Sequence, residues 1–279
     1  MTIKIVRREW LLVALTMLLL LGCEQSKQEK KSMISTTQNE TLDWRAFEQK
    51  KVVFGHQSVG NNILNGIKRL ADRDGVKINI HEQRSPPTMN GISHFPIGGN
   101  GDSLSKIQDF AAAIDAGAAQ GADIAMMKLC YVDFDTTTDA KKVADEYIAS
   151  MEYLSQKYPN TSFIAVTSPL LVTQSGPKAW IKKIIGKQPS GYLDNLRRSE
   201  FNSLLRERYA SDGRLFDLAQ VEAQSNGKTC RVVVDGQEVE ALCSELTNDG
   251  GHLNELGQEL VAAAFINFIS SFNNKQVAR

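Results

Sequence analysis

Three residues of types that cooperate in nucleophilic catalysis stand near opposite ends of the chain. Ser58 follows a short apolar run that meets a glycine, while Asp249 and His252 lie three residues apart near the carboxyl terminus. A serine hydroxyl needs a base to remove its proton, and the base needs a carboxylate that fixes its tautomer and stabilises the imidazolium. The alternative is structural: Asn248 or Asp249 caps the last helix and His252 is exposed.

The residues around Ser58 predict a strand that leads into a helix. Residues 51–54 read as the strand, and the apolar residues after Ser58 recur at helical spacing: Val59, Ile63, Leu64, Ile67 and Leu70. Ligands and chemistry in open α/β sheets collect at the carboxyl ends of strands. The pattern therefore places Ser58 where an α/β protein carries its site.

The rest of the chain alternates strands with helices. Strands are predicted at 76–80, 123–129, 162–167 and 214–218, and helices at 104–114, 140–154, 193–209 and after 256. Residues 84–101 hold three prolines and four glycines and read as a long loop. The alternation predicts an α/β fold with a mostly parallel sheet between helical layers.

Composition limits the function classes. The 279 residues carry 32 basic and 32 acidic side chains, and this neutral balance argues against nucleic acid as the main partner. The folded part, residues 44–275, is predicted to be one domain of roughly 230 residues. No His, Cys or carboxylate cluster at metal-ligand spacing is present in the sequence, so neither a metal nor a cofactor is expected.

The amino terminus is predicted to be a targeting segment. A charged start and an apolar run at 10–21 precede Gly22 and Cys23, and residues 1–22 resemble a bacterial lipoprotein signal. That resemblance implies cleavage before Cys23, lipidation of Cys23 and attachment to a membrane. Glu24 after the cysteine matches the outer-membrane default, facing the periplasm. The polar residues 23–43 read as a flexible tether.

Two other cysteines flank a predicted hairpin. Asp235-Gly236 is a two-residue turn signal between short alternating runs, and Cys230 and Cys243 stand at the ends of those runs. Because a hairpin brings its ends together and an exported protein meets an oxidising compartment, a disulfide between Cys230 and Cys243 is predicted. Cys130 is left over and is expected to be a buried small apolar residue.

The two ends of the domain resemble one family. Residues 249–257, Asp-Gly-Gly-His-Leu-Asn-Glu-Leu-Gly, are similar to the last conserved block of the SGNH/GDSL hydrolases, and residues 51–67 to the first. The resemblance implies a three-layer α/β/α, flavodoxin-like fold and hydrolysis of esters, often acyl groups on lipids or sugars. It also implies Ser58 as nucleophile, His252 as base and Asp249 as its partner.

A second serine lies in a literal copy of the family's namesake motif, Gly101-Asp102-Ser103-Leu104. This motif follows a loop and not a strand, so Ser58 is preferred and Ser103 is predicted to start a helix, with Asp102 or Ser103 as its cap. The loop 98–101 instead resembles the family's second block. Its glycine N–H, from Gly101 first or Gly99 next, would join the Ser58 N–H in an oxyanion hole.

The sequence departs from the family at two places. Gln57, directly before Ser58, stands where aspartate is usual. His56 comes one residue earlier; it could line the site, but it is interpreted as a structural residue at a strand end. The family's third block has an asparagine after the central strand as a side-chain oxyanion donor, and here residues 127–133 contain no asparagine. The residues that can replace it are Lys128, Tyr131, the Cys130 backbone, Asn61 and Asn62.

The sequence therefore predicts a serine esterase acting on acyl esters of an envelope glycan or lipid. Two alternatives stay open: an acyltransferase with the same residues, and a non-catalytic binding lipoprotein, which the absent third-block asparagine favours. The basic segment 176–190 around Trp180 is either a solvated loop or a site that recognises an anionic substrate.

Overall fold

The structure, a computed structural model, describes residues 41–272; the predicted signal segment and most of the tether lie outside this range. The central sheet has six strands, and each neighbouring pair is parallel. They are β1 (Lys51–His56), β2 (Ile80–Glu82), β3 (Gly91–Pro96), β4 (Ile124–Met127), β5 (Ser162–Val166) and β6 (Leu215–Phe216).

Eight α-helices surround or connect these strands within the described range. They are α1 (Trp44–Glu48), α2 (Ser58–Asp74), α3 (Ser103–Asp115), α4 (Ala140–Lys157), α5 (Gly176–Ile184), α6 (Tyr192–Tyr209), α7 (Leu218–Glu222) and α8 (Glu255–Ser271). Single 3₁₀ turns cover Tyr131–Asp133 and Ser244–Leu246. Among residues 41–272, no helix combines the length and apolar composition that crossing a bilayer requires.

The strand order defines the fold. The sheet runs β2-β3-β1-β4-β5-β6, and without the three-residue edge strand β2 this is the 2-1-3-4-5 order of flavodoxin-like doubly wound proteins. The predicted α/β class with a parallel sheet is confirmed. The order reverses at β1, which lies between β3 and β4, so the loops after these three strands meet at the switch point where such folds bind ligands.

Helices cover both faces of the sheet because its strands are apolar on both sides. On one face Val53, Ala125 and Phe163 pack in a continuous buried core that includes residues of α3, α4 and α6. On the other face the rings of Phe54 and Phe265 lie 5.8 Å apart, which joins β1 to α8. These three layers fix the carboxyl end of β1, and with it the start of α2.

A small hairpin follows α7. Strands β9 (Arg231–Val234) and β10 (Gln237–Glu240) pair antiparallel, and their turn residues have φ values of 49° at Asp235 and 81° at Gly236. This is the Asp-Gly turn that the sequence predicts. A disulfide joins Cys230 and Cys243, whose Cα atoms lie 5.4 Å apart, and Cys130 is buried and free. Two short antiparallel strands, β7 (Gln224–Ser225) and β8 (Lys228–Thr229), precede this hairpin in the chain.

Three predictions about local structure are wrong. The predicted loop 84–101 contains β3, which pairs with β1 over its whole length. Its polar residues Ser93 and His94 are buried, and the His94 ring stacks on His56 of β1. The strand predicted at 76–80 starts only at Ile80 and extends to Glu82, at the sheet edge. Residues 176–184, predicted as a basic connection, form the helix α5.

Candidate active site

Ser58 is the first residue of α2 and stands at the carboxyl end of β1, half-buried at the switch point. The residue before it, Gln57, does not cap the helix with its side chain. Its Nε2 donates instead to the carbonyls of Ile97 and Gly98, at 2.9 and 3.0 Å. The first-turn N–H groups therefore lack a side-chain cap, and the helix dipole favours negative charge beside the Ser58 hydroxyl.

Asp249 and His252 form the predicted acid–base pair. Asp249 Oδ2 lies 2.7 Å from His252 Nδ1, while Oδ1 accepts the backbone N–H groups of Gly251 and His252 at 2.9 and 2.8 Å. The Gly251 N–H, followed by the His252 ring, holds the pKa of the Asp249 carboxyl well below its usual range. An ionised Asp249 keeps the proton on Nδ1, so Nε2 is the basic nitrogen of the ring.

The His252 segment is attached to the helix that begins at Ser58. The N–H of Leu253 donates to Asn62 Oδ1, in the first turn of α2, at 3.1 Å. Among the residues that the structure describes, Ser58 Oγ and His252 make no direct hydrogen bond. His252 Nε2 lies 3.3 Å from the hydroxyl of Tyr131 instead. Of the three predicted residues, the structure therefore joins Asp249 and His252 directly, and it links their segment to the helix of Ser58 through Asn62.

Tyr131 is a contact of the base that sequence reasoning assigned only as an oxyanion candidate. Its hydroxyl lies within 3.4 Å of both ring nitrogens of His252, and the two rings meet edge to face at 5.5 Å. Burial raises the pKa of the Tyr131 phenol, and its hydroxyl lies almost equally far from the two ring nitrogens.

The glycine N–H groups predicted for the oxyanion hole are engaged elsewhere. Gly101 N donates to Asp133 Oδ1 at 2.9 Å, and Gly99 N lies 3.2 Å from Ser105 Oγ. The prediction for Gly101 and Gly99 is corrected on this ground: an N–H that already has an acceptor is not a preorganised donor for an oxyanion. Asn61 is exposed on the first turn of α2.

Asp133 explains why the Gly101 N–H is engaged. Its buried carboxylate accepts from the N–H of Gly101 and Cys130 and forms a fully buried ion pair with Lys106 at 2.7 Å. It ties the loop after β3 to the loop after β4. Lys128 is also fully buried, with Nζ on the Leu129 carbonyl at 2.8 Å. Neither the Cys130 N–H nor Lys128 is free to replace the third-block asparagine.

Asn100 offers a side-chain amide that was not among the candidates from the sequence. It is exposed in the loop that Gln57 holds beside the start of α2, and its Oδ1 accepts from Lys106 Nζ at 3.1 Å. Because an ammonium group only donates, Oδ1 must face Lys106, and the Nδ2 donors point away from it. Asn100 therefore presents an oriented side-chain amide of the kind that an oxyanion hole uses.

Ser103 has the structural place that was predicted for it. It is the first residue of α3 and is buried, and the Asp102 carboxylate caps the helix by accepting the Ser105 N–H at 2.9 Å. A buried serine at a capped helix start is a poor position for a nucleophile, which must reach substrate.

His56 lies beneath the start of α2. It is 2% exposed; Nδ1 lies 3.0 Å from the Gln57 carbonyl and Nε2 3.2 Å from Nδ1 of the buried His94. A Cβ atom on Gly60 would come within 2.2 Å of the His56 ring, so only glycine fits there. The contact to the Gln57 carbonyl orients the peptide whose N–H belongs to Ser58, because that peptide is planar.

Replacing His56 with glutamine is expected to reduce the loss of stability in acid. Burial lowers the pKa of His56 from 6.5 to about 3, so the folded state binds fewer protons than the unfolded state between these values. Stability therefore falls as pH drops below 6.5, by up to about 1.4 kcal/mol per pH unit. Urea unfolding between pH 4.5 and 7 measures the slope, with exposed His81→Gln as the control. Equal slopes for His56→Gln and wild type would contradict the assignment.

An open groove of about 600 Å³ lies beside the acid–base pair. Its walls come from the loops after β4 and β5, the start of α6 and the Asp249 turn: Tyr131, Leu171–Gln174, Ser190, Gly191, Asp194 and Asp249–Gly251. The lining mixes apolar surface with hydroxyl, amide and carboxylate groups. Asp249 is part of the lining, whereas Ser58 and His252 are not.

Within the described residues, one group of three side chains of metal-ligating types lies close together: Cys230, Cys243 and Glu245. Both sulfurs belong to the disulfide, and a disulfide sulfur is not a thiolate ligand. This grouping does not fit a metal ion.

No protein-family model and no curated protein matches the chain. Solved structures similar to it include a GDSL-like lipase from Parabacteroides merdae, at 14% identity and a TM-score of 0.45 over 80% of this chain and 96% of that one. The esterase EstA from a Pseudoalteromonas species is 13% identical, with a TM-score of 0.43 over 77% and 94%. The periplasmic domain of a Salmonella Paratyphi A lipopolysaccharide acetyltransferase is 15% identical, with a TM-score of 0.41 over 77% and 81%. All three TM-scores are below 0.5. The doubly wound fold is therefore assigned from the strand order of this chain and not from these similarities.

Proposed function

We propose that the chain is a serine esterase of the SGNH type. The observation that carries this proposal is the hydrogen-bonded Asp249–His252 pair, whose segment is fastened through Leu253 to Asn62 of the helix that Ser58 begins. These are the nucleophile, base and orienting acid that acyl transfer requires, on rigid elements at the switch point of the sheet.

In the proposed reaction, Ser58 Oγ attacks an acyl carbonyl while His252 Nε2 takes its proton. Asp249 stabilises the imidazolium, and the Ser58 N–H with Asn100 Nδ2 binds the oxyanion. His252 then protonates the leaving alcohol. Water, activated by the same nitrogen, releases the acid from the acyl-enzyme. The substrate class is an acyl ester of an envelope glycan or lipid, and the protein is held at the outer membrane through lipidated Cys23.

Asn100→Ala is expected to lower kcat by about 10²-fold or more with little change in KM, because an oxyanion donor acts mainly in the transition state. Ester hydrolysis kinetics measure this loss. Asn61→Ala is the matched control, since Asn61 is the exposed asparagine on the first turn of α2. A larger loss for Asn61→Ala than for Asn100→Ala would assign the donor to Asn61.

A non-catalytic binding protein is the second candidate. It is favoured by the Tyr131 hydroxyl on His252 and by the occupied N–H groups of Gly99 and Gly101. A fluorophosphonate probe separates the two functions, because it labels only an activated serine. Labelling mapped to the peptide that contains Ser58 supports the esterase, and absence of labelling on folded protein supports the binding protein. An acyltransferase, the third function, would transfer the acyl group to an added sugar acceptor.

A further inference from the structure

Helix α5 exposes a stripe of large apolar side chains. Trp180 is 66% exposed, and Ile181, Ile184 and Ile185 are each more than half exposed. Ile185 directly follows α5, and its N–H donates to the Ile181 carbonyl at 3.2 Å, so it continues the helical path. The spacing of the four residues therefore places them on one side, because positions three to four apart are neighbours on a helix surface. Contiguous exposed apolar side chains of this size mark an interaction surface.

The same segment is strongly basic. Residues 176–190 contain four lysines and no acidic residue, in a chain whose basic and acidic residues balance. Lys178 and Lys187 are exposed, and Lys182 Nζ donates to Ser190 Oγ at 3.0 Å. Positive charge beside an apolar stripe is complementary to a surface that offers anions above hydrocarbon.

The segment is held at the edge of the groove. Gln174 N donates to the Ser190 carbonyl at 3.0 Å, and Ser190 N lies 3.3 Å from Gln174 Oε1. These hydrogen bonds join the two ends of the segment 174–190, which contains α5. Both Gln174 and Ser190 line the groove beside Asp249. A surface that binds α5 therefore comes to lie beside the groove.

We infer that α5 docks the protein on an anionic lipid bilayer, with the mouth of the groove at the membrane surface. Trp180 and the isoleucines enter the boundary between headgroups and acyl chains, where indole rings partition favourably. The lysine stems cover apolar surface while their ammonium groups reach lipid phosphates. A bilayer is deformable and needs no shaped pocket to receive the exposed side chains of α5. This contact is separate from lipidated Cys23 and from the chemistry of Ser58.

Quenching of Trp180 by brominated lipid tests the inference on the full chain. The other tryptophans are Trp10 and Trp44; Trp44 is buried, with its Nε1 bonded to Asp74. Subtracting the signal of Trp180→Phe isolates Trp180, whatever holds the amino terminus on the vesicle. With brominated phosphatidylglycerol vesicles, Trp180 fluorescence is expected to fall by about half, and by much less with brominated phosphatidylcholine.

A charge reversal provides the matched comparison. Lys178→Glu with Lys187→Glu is expected to remove most of the Trp180 quenching, whereas Lys77→Glu with Lys142→Glu changes net charge equally at exposed sites elsewhere and leaves it intact. Equal quenching of wild type and Trp180→Phe would overturn the inference. So would a concentration-dependent blue shift of Trp180 without vesicles, which would assign the stripe to a second copy. None of these measurements depends on esterase activity. Failure of the docking inference is therefore distinguishable from failure of the proposed function.

Discussion

Ser58→Ala is expected to abolish fluorophosphonate labelling and to lower kcat for ester hydrolysis by at least about 10³-fold, because the nucleophile of a triad has no substitute. The substitution removes one oxygen from a half-buried position at the start of α2. Thermal unfolding should therefore match wild type within a few degrees. Labelling, hydrolysis kinetics and unfolding are measured on the same preparation.

Ser103→Ala is the matched control for this prediction. Asp102, not Ser103, caps α3, so the variant should fold, label and hydrolyse like wild type. Labelling that survives Ser58→Ala and disappears in Ser103→Ala would transfer the nucleophile to the literal Gly-Asp-Ser-Leu motif. Loss of labelling in both variants with intact folding would indicate that the probe reads the integrity of the groove and not a single serine.

Gly66→Ala is expected to destabilise the fold by about 3 kcal/mol, at the upper end of overpacking effects. A Cβ atom at this position would come within 2.1 Å of the Gln258 carbonyl oxygen and 2.7 Å of Ala262 Cβ. The first of these neighbours is backbone, so α2 and α8 must move apart. Helix propensity alone predicts the opposite sign, since alanine is better than glycine in a helix by about 1 kcal/mol.

The neighbouring Asn65→Ala is the control for Gly66→Ala. Asn65 is exposed on the same helix, so the change should be neutral or slightly stabilising. Urea unfolding with a comparison of m values measures both variants. A Gly66→Ala protein as stable as wild type would mean that α2 and α8 do not approach closely. Because α2 begins at Ser58 and α8 follows His252, separation of the helices should also reduce esterase activity.

The sheet could be predicted where its strands are apolar throughout. All residues of β4 are apolar and buried, and such a run indicates a strand between two helical layers. Strand β3 could not be predicted in this way, because Gly91 and Pro96 bound it and Ser93 and His94 interrupt its apolar pattern. The buried His94 ring stacks on the ring of His56, a contact between residues far apart in sequence.

The site shows the same division between local and distant contacts. The Asp249–His252 pair is a short-range feature: three-residue spacing in a turn permits it, and the resemblance of residues 249–257 to a hydrolase block favoured it over a helix cap. The engagement of the Gly101 N–H depends on Asp133, 32 residues away, and the orientation of Asn100 depends on the Lys106–Asp133 ion pair. Spacing carries no information on either, because both follow from how the loops after β3 and β4 meet.

The two outer strands of the sheet have a consequence for the protein at high density. Strand β2 has three residues and β6 has two, so each edge offers only a few unpaired backbone groups to another chain. The proposed attachment to a membrane would concentrate the protein in two dimensions, where edge-to-edge pairing of sheets leads to aggregation. Short edges provide little template for that pairing, and copies of this chain should stay separate even when crowded side by side.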